Sequence, residues 1–224
     1  MKQPVRVLGL VVFMASLALL AWWWLTAAGR GGSGGGLSAA ILDTCLFSAF
    51  ALHHSVLARP WAKNQVRRVL HDDMVRTAYV WIGSLLLMAM CLFWQPVGRN
   101  VYDVEGAGAV LLHSLQLVGV AVGALAVRRI SVRELAGLAP PGSVDELEYR
   151  GPYRLVRHPL YLGWVLVFFS TPHMTGDRLL FAFVSTVYLI IAMPLEEAGL
   201  RRQFGDRYLE YCRMVRWRLI PYFH

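Results

Sequence analysis

The sequence predicts an all-α polytopic membrane protein: a helix bundle of about six membrane segments, the last two a tight hairpin, followed by a C-terminal amphipathic cytoplasmic helix. Three observations carry this. The 224-residue chain is 57% hydrophobic and only 16% charged, where a soluble domain carries roughly 25% charged residues. Its mean hydropathy is +0.48, and the apolar residues fall in long blocks rather than alternating. Its basic residues crowd into every second connection, as the positive-inside rule expects.

The blocks are Val5–Ala28, Leu37–Ala58, Val75–Gln95, Ala107–Val127, Pro159–Met174 and Asp177–Leu195. A span needs about 20 residues, within roughly 17–25, and the first four blocks meet that. The fifth is short and carries Pro172 near its end. Blocks five and six therefore read as a hairpin turning at residues 171–176, with both ends on one side of the membrane. The first block begins with Lys2 and Arg6 and ends in Thr26-Ala27-Ala28, features a cleaved signal peptide shares. A signal core is only about 7–15 residues long, so a retained span is expected. Residues 29–36 read as a flexible glycine-rich loop. Cys45, Cys91 and Cys212 have no metal-like spacing, and two lie inside apolar blocks, which argues against a disulfide framework. Residues 1–224 are expected to form one membrane domain. Within it, 1–127 is a four-helix part and 128–224 carries the hairpin and the polar motifs.

Charge gives the orientation. With both termini cytoplasmic, the inner pieces hold Lys2 and Arg6; Arg59, Lys63, Arg67, Arg68 and Arg76; Arg128, Arg129, Arg133, Arg150, Arg154 and Arg157; and Arg201, Arg202, Arg207, Arg213, Arg216 and Arg218. That is nineteen, against three outside: Arg30, Arg99 and Arg178. The expected location is a bacterial inner membrane. An anionic leaflet accounts for the net charge of +8, so no nucleic-acid partner is invoked. Trp22, Trp23 and Trp24 should mark the outer interface. Asp43 and His113 sit equally deep in their spans, about 9 Å from the outer ends at 1.5 Å per residue. A buried Asp is usually paired, so these two are expected to meet.

Past the fourth block, Arg128–Glu148 is polar and broken by Pro140-Pro141, a cytoplasmic loop with one short helix at Val132–Leu138. Pro159 suits a first helical position, where the missing N–H has no partner to lose. Leu195, Leu200, Phe204, Tyr208, Tyr211 and Val215 recur at helical spacing. They predict an amphipathic helix over Glu196–Val215, interrupted at Gly205, with Trp217, Leu219, Ile220 and Tyr222 as an interfacial tail.

The segment Tyr149–Gly163 packs three arginines, a histidine and three tyrosines against an apolar run. Ionisable groups at a membrane entry point are costly and usually serve a site. Gly151-Pro-Tyr153 and Arg157-His-Pro-Leu-Tyr161-Leu-Gly163 open the hairpin. Glu196-Glu-Ala-Gly-Leu200, Phe204-Gly-Asp-Arg-Tyr208-Leu-Glu-Tyr211, Val215 and Pro221 follow it. In order and spacing this resembles the isoprenylcysteine carboxyl methyltransferase family. Thr171-Pro-His-Met-Thr, Leu179-Leu-Phe-Ala182 and the upstream His54-Ser-Val-Leu-Ala-Arg-Pro60 look closer to its bacterial branch of methanethiol S-methyltransferases and NnrU-like proteins.

The resemblance implies S-adenosylmethionine as cofactor, bound on the cytoplasmic side by Leu147, Tyr153, His158, Pro159, Leu160, Tyr161 and Glu196. It implies a small lipophilic acceptor met among membrane lipids. Glu196 offers acceptors to hydroxyl or ammonium groups, and the tyrosines offer a wall for adenine or for the sulfonium. Arg157 and Glu197 are the candidate catalytic residues. Glu197 or His158 could take a thiol proton. Alternatively Glu197 pairs with Arg201 at i+4 on the helix surface, and Arg154 and Arg157 face lipid phosphates. Family members that methylate a carboxylate carry an arginine shortly before the paired glutamates. Here that stretch is Ile190-Ile-Ala-Met-Pro-Leu195, which leans toward a thiol. A second class stays open: the segment His54-Ser-Val-Leu-Ala-Arg59 also resembles haem-binding membrane isomerases, and His53 and His54 are of a type that ligates haem, unless one packs and the other faces headgroups; a nicotinamide-dependent membrane reductase shares parts of the fold. A transporter has little support, lacking repeat symmetry and broken central helices.

The charge asymmetry is checked by cysteine labelling. A cysteine at Ser33 should react with an impermeant reagent from outside, and one at Ser143 should not. The reverse pattern overturns the orientation.

Overall fold

A computed structural model of the chain describes residues 2–32, 34–57, 59–68, 70–129 and 147–221. In order these form α1 (Lys2–Leu25), α2 (Gly36–Leu57), α3 (Pro60–Val66), α4 (Asp72–Phe93), β1 (Asn100–Asp103) and α5 (Gly106–Val127). A 3-10 turn at Gly151–Arg154 follows, then α6 (Pro159–Phe169), β2 (His173–Thr175), α7 (Gly176–Phe204) and α8 (Asp206–Met214). The protein is all-α and polytopic. Among the described residues, four helices are long and apolar enough to cross a membrane: Val7–Leu25 within α1, and α2, α5 and α7. Thr77–Phe93 within α4 and Pro159–Phe169 are apolar but shorter. The helix expected at Val132–Leu138 lies outside the described residues, as do Ser33 and Ser143.

The chain divides into two compact units, Met1–Val101 with Arg133–Ser143 and Thr175–Leu180, and Tyr102–Val132 with Val144–Met174 and Phe181–His224. In the first, α1 and α2 both pack on α4. Polar ties fix the ends of these helices. Asp177 Oδ1 accepts from Trp94 Nε1 and from the Val97 N–H, each at 2.9 Å. Buried Arg178 donates through Nη2 to the Trp24 carbonyl at 2.9 Å and lies over the Trp24 ring at 5.3 Å. Only Trp22 of the expected interfacial triplet is exposed. Trp23 and Trp24 are buried, Trp23 edge-on to Trp94 at 4.9 Å. Nor is the glycine-rich stretch a free loop where it is described. The Gly35 N–H donates to the Pro96 carbonyl at 2.8 Å, and a Cβ on Gly34 would sit 2.2 Å from the Val97 carbonyl carbon. Glycine lets the two backbones touch.

The expected Asp43–His113 pair does not form. Asp43 Oδ1 accepts from the Gln95 N–H at 2.9 Å, an amide just past α4 with no helical partner of its own. His113 is exposed and lies 3.0 Å from Gln116 Oε1 on its own helix. Equal depth sets height in the membrane and leaves the direction around each helix unspecified.

In the second unit α5 and α6 meet backbone to backbone. A Cβ on Gly163 would lie 2.7 Å from the Gly119 carbonyl oxygen, and one on Gly119 2.8 Å from that of Gly163. Small residues permit such approach between membrane helices. Gln116 Nε2 adds a hydrogen bond to the Val167 carbonyl at 2.9 Å. On its other side α6 packs against α7, with Trp164 Nε1 donating to Ser185 Oγ at 3.0 Å and Phe168 edge-on to Phe181 at 5.0 Å. With 11 residues, α6 is about 16 Å long, well short of a hydrocarbon core of about 30 Å. The turn after it is more than a bare connection. β2 pairs with β1 in a two-stranded sheet, the Val104 N–H donates to the Pro172 carbonyl at 2.9 Å, and His173 Nδ1 lies 2.9 Å from both oxygens of Asp103.

The amphipathic helix expected over Glu196–Val215 is two elements. α7 runs 29 residues, through Pro194 and both glutamates to Phe204. Gly205, at φ +53°, ends it in a conformation that favours glycine, and α8 starts at the next residue.

Gly163→Ala should lower stability by about 1–3 kcal/mol, the cost of overpacking. Thermal unfolding in detergent checks this, and an unchanged midpoint would show the α5–α6 contact to be looser than described.

Candidate active site

The polar residues singled out in the sequence gather where the 3-10 turn, the start of α6, the end of α7 and the C-terminal tail meet, all within the second unit. Pro159, at the first position of α6 and buried, needs no N–H partner. The two residues before it are held by the tail: the Arg157 N–H donates to the Trp217 carbonyl and the His158 N–H to the Arg218 carbonyl, each at 2.9 Å. His158 and Tyr161, three residues apart on one helix face, stack with ring centroids 5.2 Å apart and planes 17° apart.

α7 delivers the two glutamates in opposite senses. Neighbouring helical residues point about 100° apart, and here one carboxylate faces in and the other out. Glu197 is 2% exposed. Its Oε1 lies 2.9 Å from Arg157 Nε and 3.5 Å from His158 Nε2, and its Oε2 3.3 Å from Arg218 Nη2. Glu196 keeps 48% of its side chain exposed, with Oε2 accepting from the Tyr161 hydroxyl at 2.8 Å and lying 3.6 Å from His158 Nδ1. His158, itself 5% exposed, thus sits between two carboxylates. The Arg157–Glu197 contact has ion-pair distance but not hydrogen-bond alignment. Arg157 Nε, Glu197 Oε1 and His158 Nε2 are all buried without a hydrogen-bond partner.

Below this cluster lies an aromatic floor. Tyr208, Tyr211 and Val215 form a buried core against which Leu147, Leu200, Phe204 and Cys212 pack. The Tyr211 hydroxyl donates to the Tyr153 carbonyl at 2.8 Å. Burial pushes the Tyr153 phenol up to about 12, with the negative charges of Glu196 and then Glu148 adding to it. Burial likewise raises Tyr208, aided by Glu197, and Tyr211, aided by Tyr153. All three phenols therefore stay neutral at any physiological pH.

Arg157, His158, Tyr161, Glu196 and Glu197 come together as one cluster, with Tyr153 close enough to sense Glu196. Leu147 belongs to the aromatic floor. Leu160 turns to α5, where its Cδ1 lies 3.9 Å from the place a Cβ on Gly123 would take. The surface pair Glu197–Arg201 is overturned, because Glu197 is buried against Arg157 and Arg218 while Arg201 is exposed. Arg157 faces that carboxylate, with 10% of its side chain exposed. The sequence reading missed Arg218, counted only as an inner-face charge, and the aromatic floor, seen only as helical periodicity. His53 and His54 engage Tyr79 instead. His53 Nε2 lies 3.0 Å from the Tyr79 carbonyl and His54 Nδ1 2.6 Å from its hydroxyl. Among the described residues no group of three or more His, Cys, Asp or Glu is placed to hold a metal ion.

This cluster offers an exposed carboxylate, a stacked aromatic pair and a buried imidazole at a membrane helix entry. A family model described as phospholipid methyltransferase matches residues 114–207, from within α5 to the start of α8, and together with the following relatives it makes the protein a membrane methyltransferase. More particularly, it is 36% identical over 194 residues to a methanethiol S-methyltransferase of Crocosphaera subtropica, covering 83% of this chain and 76% of that one. It is 37% identical over 187 residues to the enzyme of that name from Pseudomonas deceptionensis, covering 79% and 71%. The chain belongs to this family. Nurim of Xenopus laevis is 29% identical over 192 residues, covering 77% of this chain and 67% of that one. No solved structure matches.

Removing one partner of a buried ion pair costs about 3–5 kcal/mol, because the other charge is left buried and uncompensated. Glu197→Ala should show a loss of that order in thermal unfolding, whereas exposed Arg201→Ala should change stability by less than about 0.5 kcal/mol. Equal small effects would restore the surface-pair reading.

Proposed function

We propose that the protein binds S-adenosylmethionine at this cluster and transfers its methyl group to a small lipophilic thiol such as methanethiol, at the cytoplasmic face of a bacterial inner membrane. In this reading both termini are cytoplasmic, and residues 128–224 carry the chemistry. The observation that carries it is the meeting of Tyr161, His158 and Glu196, although 35 residues separate Tyr161 from Glu196. The names of the relatives support the thiol acceptor, as does the lack of a basic residue at Ile190–Leu195 to hold a carboxylate.

The residues fit the cofactor's chemistry. Glu196 spends Oε2 on Tyr161 and keeps exposed surface for hydroxyl or ammonium donors. The His158–Tyr161 stack presents an aromatic face to adenine or to a cation. His158 Nε2 is a buried polar atom lacking a hydrogen bond, the kind that water or a bound group satisfies. When bound, S-adenosylmethionine supplies an electrophilic methyl on a sulfonium. The protein's task is then mostly placement, since in-line transfer depends on alignment. The thiol must also lose its proton. His158 takes it, and the imidazolium formed lies 3.6 Å from Glu196 and 3.5 Å from Glu197. The thiolate would be the nucleophile for the methyl group that the cofactor would supply, with Glu196, His158 and Tyr161 holding the cofactor in line and a neutral thioether left behind. Arg157 and Arg218 keep Glu197 ionised in its buried place, so Glu197 acts by holding His158.

Calorimetry on purified protein tests this. Glu196→Ala should weaken S-adenosylmethionine binding by about 1.5–3 kcal/mol, the range for a hydrogen bond involving a charged group. Tyr161→Phe, which keeps the ring and frees Glu196 from its clamp, should cost about 1 kcal/mol. Methanethiol should then be methylated and an isoprenylcysteine carboxylate not. No binding by the native protein, or unchanged binding by Glu196→Ala, overturns the reading.

A further inference from the structure

The segment Phe204-Gly-Asp-Arg-Tyr208-Leu-Glu-Tyr211 supplies none of the cluster's charged groups, and packing alone does not account for it. Gly205 caps α8, and Tyr208 and Tyr211, three apart, fall on one face of that helix. Both are buried, with ring centroids 6.0 Å apart. A phenylalanine at 211 would supply the same ring, whereas a buried tyrosine also brings a hydroxyl that needs a partner. The Tyr211 hydroxyl has one: it donates to the Tyr153 carbonyl at 2.8 Å, from 58 residues away in the chain. Burial holds the Tyr211 phenol above its ordinary pKa, so the proton it donates stays in place. The Tyr211 carbonyl in turn accepts from the Val215 N–H at 2.8 Å, where α8 ends.

Tyr153 lies in the 3-10 turn Gly151–Arg154, and that turn holds itself poorly. The Tyr153 N–H reaches the Arg150 carbonyl at 3.3 Å, and the Leu155 and Val156 N–H groups share the Pro152 carbonyl at 3.1 and 3.4 Å. The next two N–H groups, of Arg157 and His158, go to the C-terminal tail. The backbone that follows thus passes over the Tyr153 carbonyl, and Tyr211 takes it. The Tyr153 phenol feels the charge of Glu196, so wherever this turn sits, one wall of the cluster sits with it.

We propose that Tyr211 is a positioning residue of the methyl-transfer site: its hydroxyl clamps the turn that carries Tyr153, and so sets the affinity for S-adenosylmethionine without touching it. This rests on the reading that Tyr153, with His158, Tyr161 and Glu196, holds the cofactor. The clamp acts by removing freedom. A single 3-10 turn with long hydrogen bonds has poor geometry of its own and opens easily. Apparent affinity falls with the fraction of time the binding arrangement is populated. A ring beneath the turn supports it from one side, whereas a hydrogen bond to the carbonyl also fixes which way the residue faces.

Calorimetry and hydrogen exchange on the whole chain in detergent test this, with S-adenosylmethionine as the probe. Tyr211→Phe keeps the ring and removes the donor. It should weaken binding roughly five-fold, the factor an ordinary neutral hydrogen bond carries. In a Tyr153→Ala background the same change should have no further effect, because the residue it acts through is gone. Tyr102→Phe, which removes a hydroxyl-to-carbonyl bond at the far end of α6, should leave affinity as it is. Without ligand, the amides of residues 153–156 should exchange faster in Tyr211→Phe than in the native protein, while those of α5 keep their native rates. In the native protein the cofactor should slow exchange in this turn, a test that needs no variant, and an unaltered turn overturns the proposal. So does an affinity loss that is equal in both backgrounds, or exchange that rises throughout α5 and α6, since either makes Tyr211 a packing residue. Binding weakened by Glu196→Ala but not by Tyr211→Phe overturns the clamp and leaves the cofactor site standing. No binding by the native protein overturns both.

Discussion

Everything at the polar pole of the second unit depends on one buried carboxylate. Glu197 has almost no contact with solvent, and an unpaired charge in such a place is too costly to persist. It persists because three cationic or protonatable groups surround it: Arg157 from the chain entering α6, His158 from the cap of that helix, and Arg218 from the tail. These belong to segments far apart in sequence. Satisfying one carboxylate therefore ties the turn, the two helices and the C-terminal strand of backbone into a single arrangement. The tail's carbonyls complete the tie by accepting the N–H groups of Arg157 and His158. Such a cluster is weak evidence for net stability, since charges in a dry interior barely repay their desolvation. What it fixes is geometry.

That geometry is transmitted through α6, which is short and held on both sides. Towards α5 the contact is bare backbone, Gly163 against Gly119, so its spacing admits no slack. Towards α7 it is bulky, Trp164 and Phe168 against Ser185 and Phe181. A helix gripped this way cannot easily rotate. His158 and Tyr161 then present one face to Glu196, and in the proposed reaction preorganisation of this kind is where a placement-dominated transfer gains most. The aromatic floor of Tyr208 and Tyr211 backs the same cluster, and its raised phenol pKa values keep it uncharged beneath two carboxylates.

Much of this was legible in the sequence, for identifiable reasons. The apolar blocks were visible because a bilayer imposes length on them. The cluster was visible because Arg157-His-Pro-Leu-Tyr161 and Glu196-Glu197 stand out chemically against apolar surroundings. What escaped reading depends on direction or on distant partners. Depth matched Asp43 to His113, but Asp43 was taken by the Gln95 amide, an interaction that no periodicity records. Spacing matched Glu197 to Arg201, but a local i,i+4 pair is worth only about 0.2–0.5 kcal/mol, far too little to outweigh a tertiary environment. The helix over Glu196–Val215 was legible as amphipathic. Its first half proved to continue α7, because Pro194 did not stop that helix and Gly205 did. The β1–β2 pair was invisible, since three or four residues of backbone pairing leave no pattern.

The adjacent glutamates show why their order matters. They share charge, size and helix, and differ only by about 100° of rotation. That rotation puts one in a dry pocket among cations and the other at the open edge beside a tyrosine. A shift of α7 by one residue would bury Glu196 and expose Glu197, yet the motif Glu-Glu would read the same. The register is set elsewhere, by Phe181 and Ser185 packing under α6 about three to four turns earlier and by Gly205 ending the helix at a fixed point. In the proposed reaction the two carboxylates then divide the work that neither could do alone. The exposed one can exchange partners with an arriving ligand. The buried one, already committed to Arg157 and Arg218, cannot, and so can only hold the imidazole that both of them flank.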